Sequence, residues 1–210
     1  MKTSYHKIGP GKVIVAFAIL VSVLTAISCT KNKPEEKIAV KEPIPDSVYT
    51  KKGNEIVAFT FDTLRNSLLH AINSQGVEGA IGFCNEKAFP ITATYADSVV
   101  IRRTALRYRN PKNEPDSLER KVLDEMNQRV LSSGKPGTKI VRRSSANEIH
   151  FFKPILLQAM CLNCHGTPGK QIAAATISKI QEFYPEDRAV DFKEGDLRGV
   201  WHIIFKAQQD

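Results

Sequence analysis

The sequence predicts a single α+β domain behind an export segment, and three observations carry that expectation. Apolar residues recur at helical spacing between Glu55 and Asn73, short β-branched runs bounded by Gly, Pro and Asn follow, and an apolar strand pattern from Val200 to Phe205 closes the chain. At 210 residues, 42% hydrophobic and 25% charged, the composition is that of one globular domain with room for one cofactor-sized core. No internal repeat is present.

Residues 1–28 read as a signal sequence. Lys2, Lys7 and Lys12 form a basic start, and the uncharged run from Val13 to Ile27 is 15 residues long, short of the roughly 20 needed to span a bilayer. It ends in Leu24-Thr25-Ala26-Ile27-Ser28-Cys29, a loose lipobox that would place a lipid on Cys29. A plain secretory signal or an uncleaved anchor would use the same run. Residues 29–53, rich in Lys, Glu and Pro, read as a flexible tether, and 54–210 as the folded domain. Formal charge is +8; without the three basic residues of the leader, 27 Lys and Arg face 22 Asp and Glu. That balance is mild, and export argues against a nucleic-acid partner, leaving the basic clusters as solvated faces or carboxylate-binding groups.

The elements are expected in this order. A helix over Glu55 to Asn73 stops near Gly76, and a second piece from Val77 carries Cys84 toward Pro90. Val99 to Leu106 is β-branched and basic, a strand. Asn110 to Pro115 holds two prolines and makes a loop. Asp116 with Glu119 three residues on can box the start of a helix whose apolar face is Leu118, Val122, Leu123, Met126 and Val130, ending at Gly134. Thr138–Arg143 and Glu148–Lys153 suggest a hairpin. Pro154 to Met160 is expected to be a helical turn, Gln171 to Phe183 a helix, Gly195 to Gly199 a turn and Val200 to Phe205 the last strand.

Cys161-Leu162-Asn163-Cys164-His165 is the attachment pattern of c-type haem. Two intervening residues let a tight turn present both thiols to the vinyl groups on one porphyrin edge, and the adjacent imidazole can then reach iron. A redox dithiol or half a zinc site would use the same cysteine spacing. Against these stand the immediate histidine, the export signal, the place of the motif late in the chain and the lack of a second ligand pair. One motif implies one covalent haem c with His165 as an axial ligand. Cys84, His70, His150, His202, Met126 and Met160 are the candidates for the opposite axial position; residue type alone slightly favours a histidine and does not point to Cys84.

A wider pattern does. Gly79-Ala80-Ile81-Gly82-Phe83-Cys84, the run from Arg102 to Asp116, Phe152-Lys153-Pro154-Ile155, the haem motif with Gly166, Tyr184-Pro185 and Gly195-Asp196-Leu197-Arg198-Gly199 occur in order. Together they resemble a bacterial family of PAS-like c-type haem domains, found as stand-alone exported proteins and as sensor regions of membrane signalling proteins. The likeness spans Glu55 to Lys206. It implies a PAS-like antiparallel sheet flanked by helices, with His165 and Cys84 as the two iron ligands. Cysteine use then closes: Cys29 for lipid, Cys161 and Cys164 for thioether bonds, Cys84 for iron. A departure is that the signalling members carry transmembrane and kinase or cyclase regions, which this sequence does not show.

These readings lead to an expected redox or haem-based sensor module, with a low-potential periplasmic electron carrier as the alternative. A thiolate opposite imidazole should lower the reduction potential, and its loss on reduction would open the iron to CO or NO. A filled sixth position argues against an enzyme such as a peroxidase. Arg102, Arg103, Arg107 and Arg109 are candidate partners for the haem propionates. The expected place is the envelope of a Gram-negative bacterium, lipid-anchored at the outer membrane and facing the periplasm, with an unidentified redox or signalling protein as partner.

Overall fold

A computed structural model of the chain describes residues 44–92, 98–134, 136, 140–143 and 148–206. The signal segment, Cys29 and the start of the tether lie outside the described residues. Among those described, no helix is long and apolar enough to cross a membrane.

Helix α1 runs from Asp46 to Thr92 and is broken at Gly76, whose φ of 74° and ψ of 179° suit glycine but not a residue with a Cβ. It is therefore two helices joined at the glycine, as the apolar spacing predicts. Its start differs from expectation: residues 46–53 belong to the helix and not to the tether. Tyr49 packs its ring 5.3 Å from Phe205, and Gly53 lies so close to the Phe151 ring that a Cβ there would collide with it. The lysines at 51 and 52 hide this in the sequence, because they are the exposed side of a helix whose other side is docked. The helix also ends past Pro90, not at it; a proline removes its own N–H but leaves those of the residues after it free to bond back.

Four antiparallel strands, β1 (Val99–Thr104), β2 (Ile140–Arg143), β3 (Ile149–Leu156) and β4 (Leu197–Phe205), make one sheet in the order β1-β4-β3-β2. The closing strand of the sequence is thus central, which explains why Val200 to Phe205 is apolar on both faces. One face meets α1 through Ile56, Val57, Ile101, Phe151, Trp201 and Ile203. The other meets α2 (Ser117–Ser133) through Val122, Leu123, Met126, Phe152 and Val200. The fold is the α+β arrangement of an antiparallel sheet with flanking helices.

Two turns expected beside this sheet are strand. Pro154 to Leu156 continues β3: the pairing with β2 reaches from Ile149 to Phe152, opposite Ile140, and among the described residues the stretch beyond pairs with β4, where proline is tolerated. Leu197 to Gly199 opens β4, pairing across an irregularity at Ile155 and Leu156; the turn itself is at Glu194 and Gly195, the latter at φ 86°, closed by Asp196 N donating to Lys193 O. The capping box of α2 forms as its sequence predicts: Asp116 Oδ1 accepts from Glu119 N at 2.8 Å, and Glu119 Oε2 accepts from Asp116 N at 2.9 Å. Gly134 closes that helix in the left-handed region.

The apolar α2 face encloses a polar chain. Arg102 Nε donates to Glu119 Oε1 at 2.8 Å, His202 Nδ1 donates to the same oxygen at 2.7 Å, and His202 Nε2 meets His150 Nδ1 at 2.9 Å. Burial resists ionisation of Glu119, but the hydrogen bonds from His202, Arg102 and the Asp116 backbone outweigh it and bring its pKa down to about 2. His202 is spent in this chain, while His150 keeps a buried Nε2 with no hydrogen-bond partner among the described residues, 3.5 Å from the Glu148 carboxylate.

Candidate functional site

The cysteine pair sits on a short helical run. A 3-10 turn, Ala159–Cys161, leads directly into α3, Leu162–His165. Residues three apart on such a run share a face, so Cys161 and Cys164 present neighbouring thiols. Both are free, as is Cys84. Gly166 then lets the chain leave at once: its N–H caps the Leu162 carbonyl at 2.8 Å, and a Cβ there would lie 2.7 Å from that oxygen and from Gln171.

A loop from Asp187 to Phe192 is pinned across this turn. Phe192 N donates to His165 O at 3.0 Å and Asp191 N to Gly166 O at 2.9 Å. Asp191 reaches this position at φ 59°, a left-handed conformation that a non-glycine residue adopts only when its surroundings hold it there. Ala189, fully buried, aims its carbonyl at His165: Nδ1 donates to Ala189 O at 2.8 Å. That bond puts the proton on Nδ1 and leaves the lone pair on Nε2. Burial, with the nearby Arg198 and Arg109 cations, holds the imidazole well below its ordinary range, so it is neutral.

The broken α1 brings Cys84 to the same place. Cys84, Arg103, Arg109, Tyr184 and Cys164 feel one another's charge. Burial pushes the Cys84 thiol up, while Arg103 and Arg109 pull the other way. Burial also raises Cys164, with Cys84 and Cys161 adding to it and Arg109 opposing. Tyr184 goes up to about 12, through burial first and Cys84 second. Helix α4 (Ala174–Phe183) lines this region; Thr176 donates to Glu78 at 2.8 Å, tying α4 to the second half of α1.

The arginines divide by role. Arg102 is committed to Glu119, on the other face of the sheet, and drops out of the candidate set. Arg109 grips Asp187 through Nε and Nη2 at 3.1 and 3.0 Å. Arg103 lies over Trp201, and Arg107 stacks 3.6 Å above Phe192 while donating to Val190 O. Arg198, which the sequence reading placed in a turn, joins them: it donates to Arg107 O at 2.9 Å and is brought down to about 9 by burial and the cations around it. Arg198 thus feels the charges of Arg109, Arg103 and Arg107 and, against them, that of the one gripped carboxylate, Asp187. The signal for Arg198 was its place in the Gly195–Gly199 motif, but only the strand at Leu197–Phe205 turns it inward.

Of the sequence candidates, Cys84, Cys161, Cys164 and His165 come together. His70 is exposed on α1, Met126 is fully buried in the α2 core, and Met160 is exposed beside Cys161. Among the described residues no group of three His, Cys, Asp or Glu side chains is arranged to hold a bare metal ion. Paired free thiols, a neutral imidazole with a free Nε2 and an excess of guanidinium charge, half-buried at Arg103 and Arg198 and exposed at Arg107, form a donor set for a large, anionic, metal-bearing group.

A family model described as Tll0287-like matches residues 35–205. The chain belongs to the Tll0287-like family. The solved crystal structure of the cyanobacterial heme-protein Tll0287 matches with a TM-score of 0.54 at 24% identity, covering 80% of this chain and 99% of that one. This likeness establishes that the sheet and helices described above are the fold of that protein. No curated protein matches the chain. The Tll0287-like match starts at residue 35, ahead of the helix at Asp46, and ends at Phe205, where β4 ends.

Proposed function

We propose that this Tll0287-like chain is an exported cytochrome carrying one covalent haem c, with His165 and Cys84 as axial ligands, and that it acts as a redox or haem-based sensor module. The observation that carries the reading is the His165 ring, fixed by the Ala189 carbonyl with Nε2 free, on the same turn as two free thiols. Its residues fit the group. Cys161 and Cys164 would form the thioether bonds, and Arg103, Arg107 and Arg198 carry the charge that two propionates would neutralise.

Haem, when bound, supplies a one-electron centre. The protein's part is to hold and tune it. His165 is kept as a neutral donor by its Nδ1–H bond and by burial. Cys84 as thiolate favours the ferric state and a low potential. Its burial favours the thiol, a poorer ligand, so Cys84 is the weaker of the two residues that would hold the group, and CO or NO would be the small ligands sensed on its side. Lipidation at Cys29, a periplasm-facing outer-membrane site and a separate signalling partner complete this reading. A second reading, a low-potential electron carrier, is favoured by the exposed apolar Met160 next to Cys161, against which a redox partner could dock.

The test begins with mass. Protein matured in a host with haem c assembly should gain one haem that survives acid-acetone extraction, and Cys161→Ser with Cys164→Ser should abolish the gain. Colourless protein with free thiols would refute the reading. Cys84→Ser should then convert a low-spin ferric spectrum to one with an open or weakly filled site. Rapid binding of CO by the ferrous wild type supports sensing; a ferrous spectrum that ignores both gases leaves the carrier.

A further inference from the structure

The hydrogen bonds around Ala189 form a closed circuit. Ala189 O receives two donors, His165 Nδ1 at 2.8 Å and Arg109 Nη2 at 3.2 Å. The same Arg109 Nη2 reaches Cys164 O at 2.6 Å, and Asp187 holds the guanidinium through Nε and Nη2. Asp187 Oδ1 also accepts from Ala189 N at 2.8 Å, so one carboxylate fixes both the arginine and the residue whose carbonyl they share. Arg109 and Asp187 are 12% and 8% exposed, which keeps water from replacing either. Neither residue needs to touch a porphyrin to do this.

We propose that Arg109, oriented by Asp187, is a positioning residue that sets the strength of the His165 Nδ1–H bond and, through it, the reduction potential of the iron that His165 would ligate. The inference rests on the haem reading above. Its physical reason is competition for one oxygen. A carbonyl has two lone pairs, but a cationic donor on one draws density from the other. Arg109 therefore makes Ala189 O a weaker acceptor for His165, the imidazole keeps less imidazolate character, and it donates less charge to iron. Without Arg109 the Nδ1–H bond tightens, the ferric state gains, and the potential falls.

Loss of a nearby cation would lower the potential too, so the test separates charge from position. Midpoint potentials and ferric low-spin electron paramagnetic resonance would be measured on haem-loaded wild type, Arg109→Gln and Arg109→Lys. Lysine keeps the charge but lacks the planar fork that serves Asp187, Cys164 O and Ala189 O together. The expected result is that both variants favour the ferric state by roughly tenfold, about 59 mV for one electron, with shifted g values. A wild-type potential in Arg109→Lys would reduce the effect to charge and overturn the positioning role. So would unchanged potentials in both. If the Arg109 variants do not load haem, Asp187→Asn carries the test: it frees the guanidinium and should move potential and g values in the same direction, and no movement overturns the inference. Failure of the wild type to attach haem is a distinct outcome, read by mass, and it takes down the proposed function together with this inference.

Discussion

Glu119 shows how one buried carboxylate can organise a sheet face. It is fully buried, caps its own helix, and accepts from Arg102 on β1 and His202 on β4. Replacing it with Gln removes the charge that both donors were placed to meet. Glu119→Gln should cost about 2–4 kcal/mol in urea unfolding near neutral pH. The pH dependence has a definite sign. A carboxyl whose folded pKa is about 2 against an ordinary 4.5 adds stability above the ordinary value and loses it as pH falls toward 2. His150 adds in the same direction: burial first, then the charge of His202, lower its pKa, so the unfolded chain binds its proton more readily and stability falls as pH drops below about 6.5. Unfolding midpoints measured from pH 7 down to pH 3 should therefore decline in wild type, and the lower part of the decline should be missing in Glu119→Gln.

The break in α1 is the element on which the site depends. A straight helix would carry Cys84 along the axis of the first half; the joint at Gly76 redirects the second half toward α4, where Gly82 lies 3.3 Å, measured from an ideal Cβ, from the Phe183 ring. Gly76 is exposed, so its role is conformational, with no packing to lose. Gly76→Ala should destabilise by about 1–3 kcal/mol in thermal or urea unfolding, the cost of forcing a Cβ into that backbone region. An equal substitution cost at Gly76 and at an ordinary exposed helical position, such as Asn66→Ala, would show the joint to be unstrained. The same element carries the larger surprise, its early start at Asp46, where docking on β3 and β4 replaces the amphipathic signal that the sequence lacks.

For the whole molecule, the position of that start sets where the domain begins. A chain beginning at residue 44 keeps Tyr49 on Phe205 and Gly53 against Phe151; one beginning at 54 loses both. The shorter chain should be less stable by about 1–3 kcal/mol, since it loses the half-buried Tyr49 ring and its contact with Phe205, and it uncovers part of the α1 face of the central strands. Equal denaturant midpoints for the two would return residues 46–53 to the tether. At this scale the two sheet faces differ in what they carry: the α2 face holds the Glu119 chain, and Arg103 on the opposite face turns to Trp201.

Local chemistry fixed much of this protein in advance. The Asp116 and Glu119 capping pair, the stop at Gly134, the hairpin of β2 and β3 and the Cys161 to His165 turn are all set by interactions between residues a few positions apart, so spacing alone reveals them. What spacing cannot reveal is which distant groups meet. Arg102 and Arg103 are neighbours in sequence on opposite faces of β1, and one turns to Glu119 while the other turns to Trp201. His150 and His202 had the chemistry of ligands until the sheet order set them side by side under α2. Arg198 and the shared Ala189 carbonyl depend on contacts between residues 24 to 91 positions apart. Such partnerships are decided by sheet register and loop closure, because only the folded chain determines which buried charge must satisfy which.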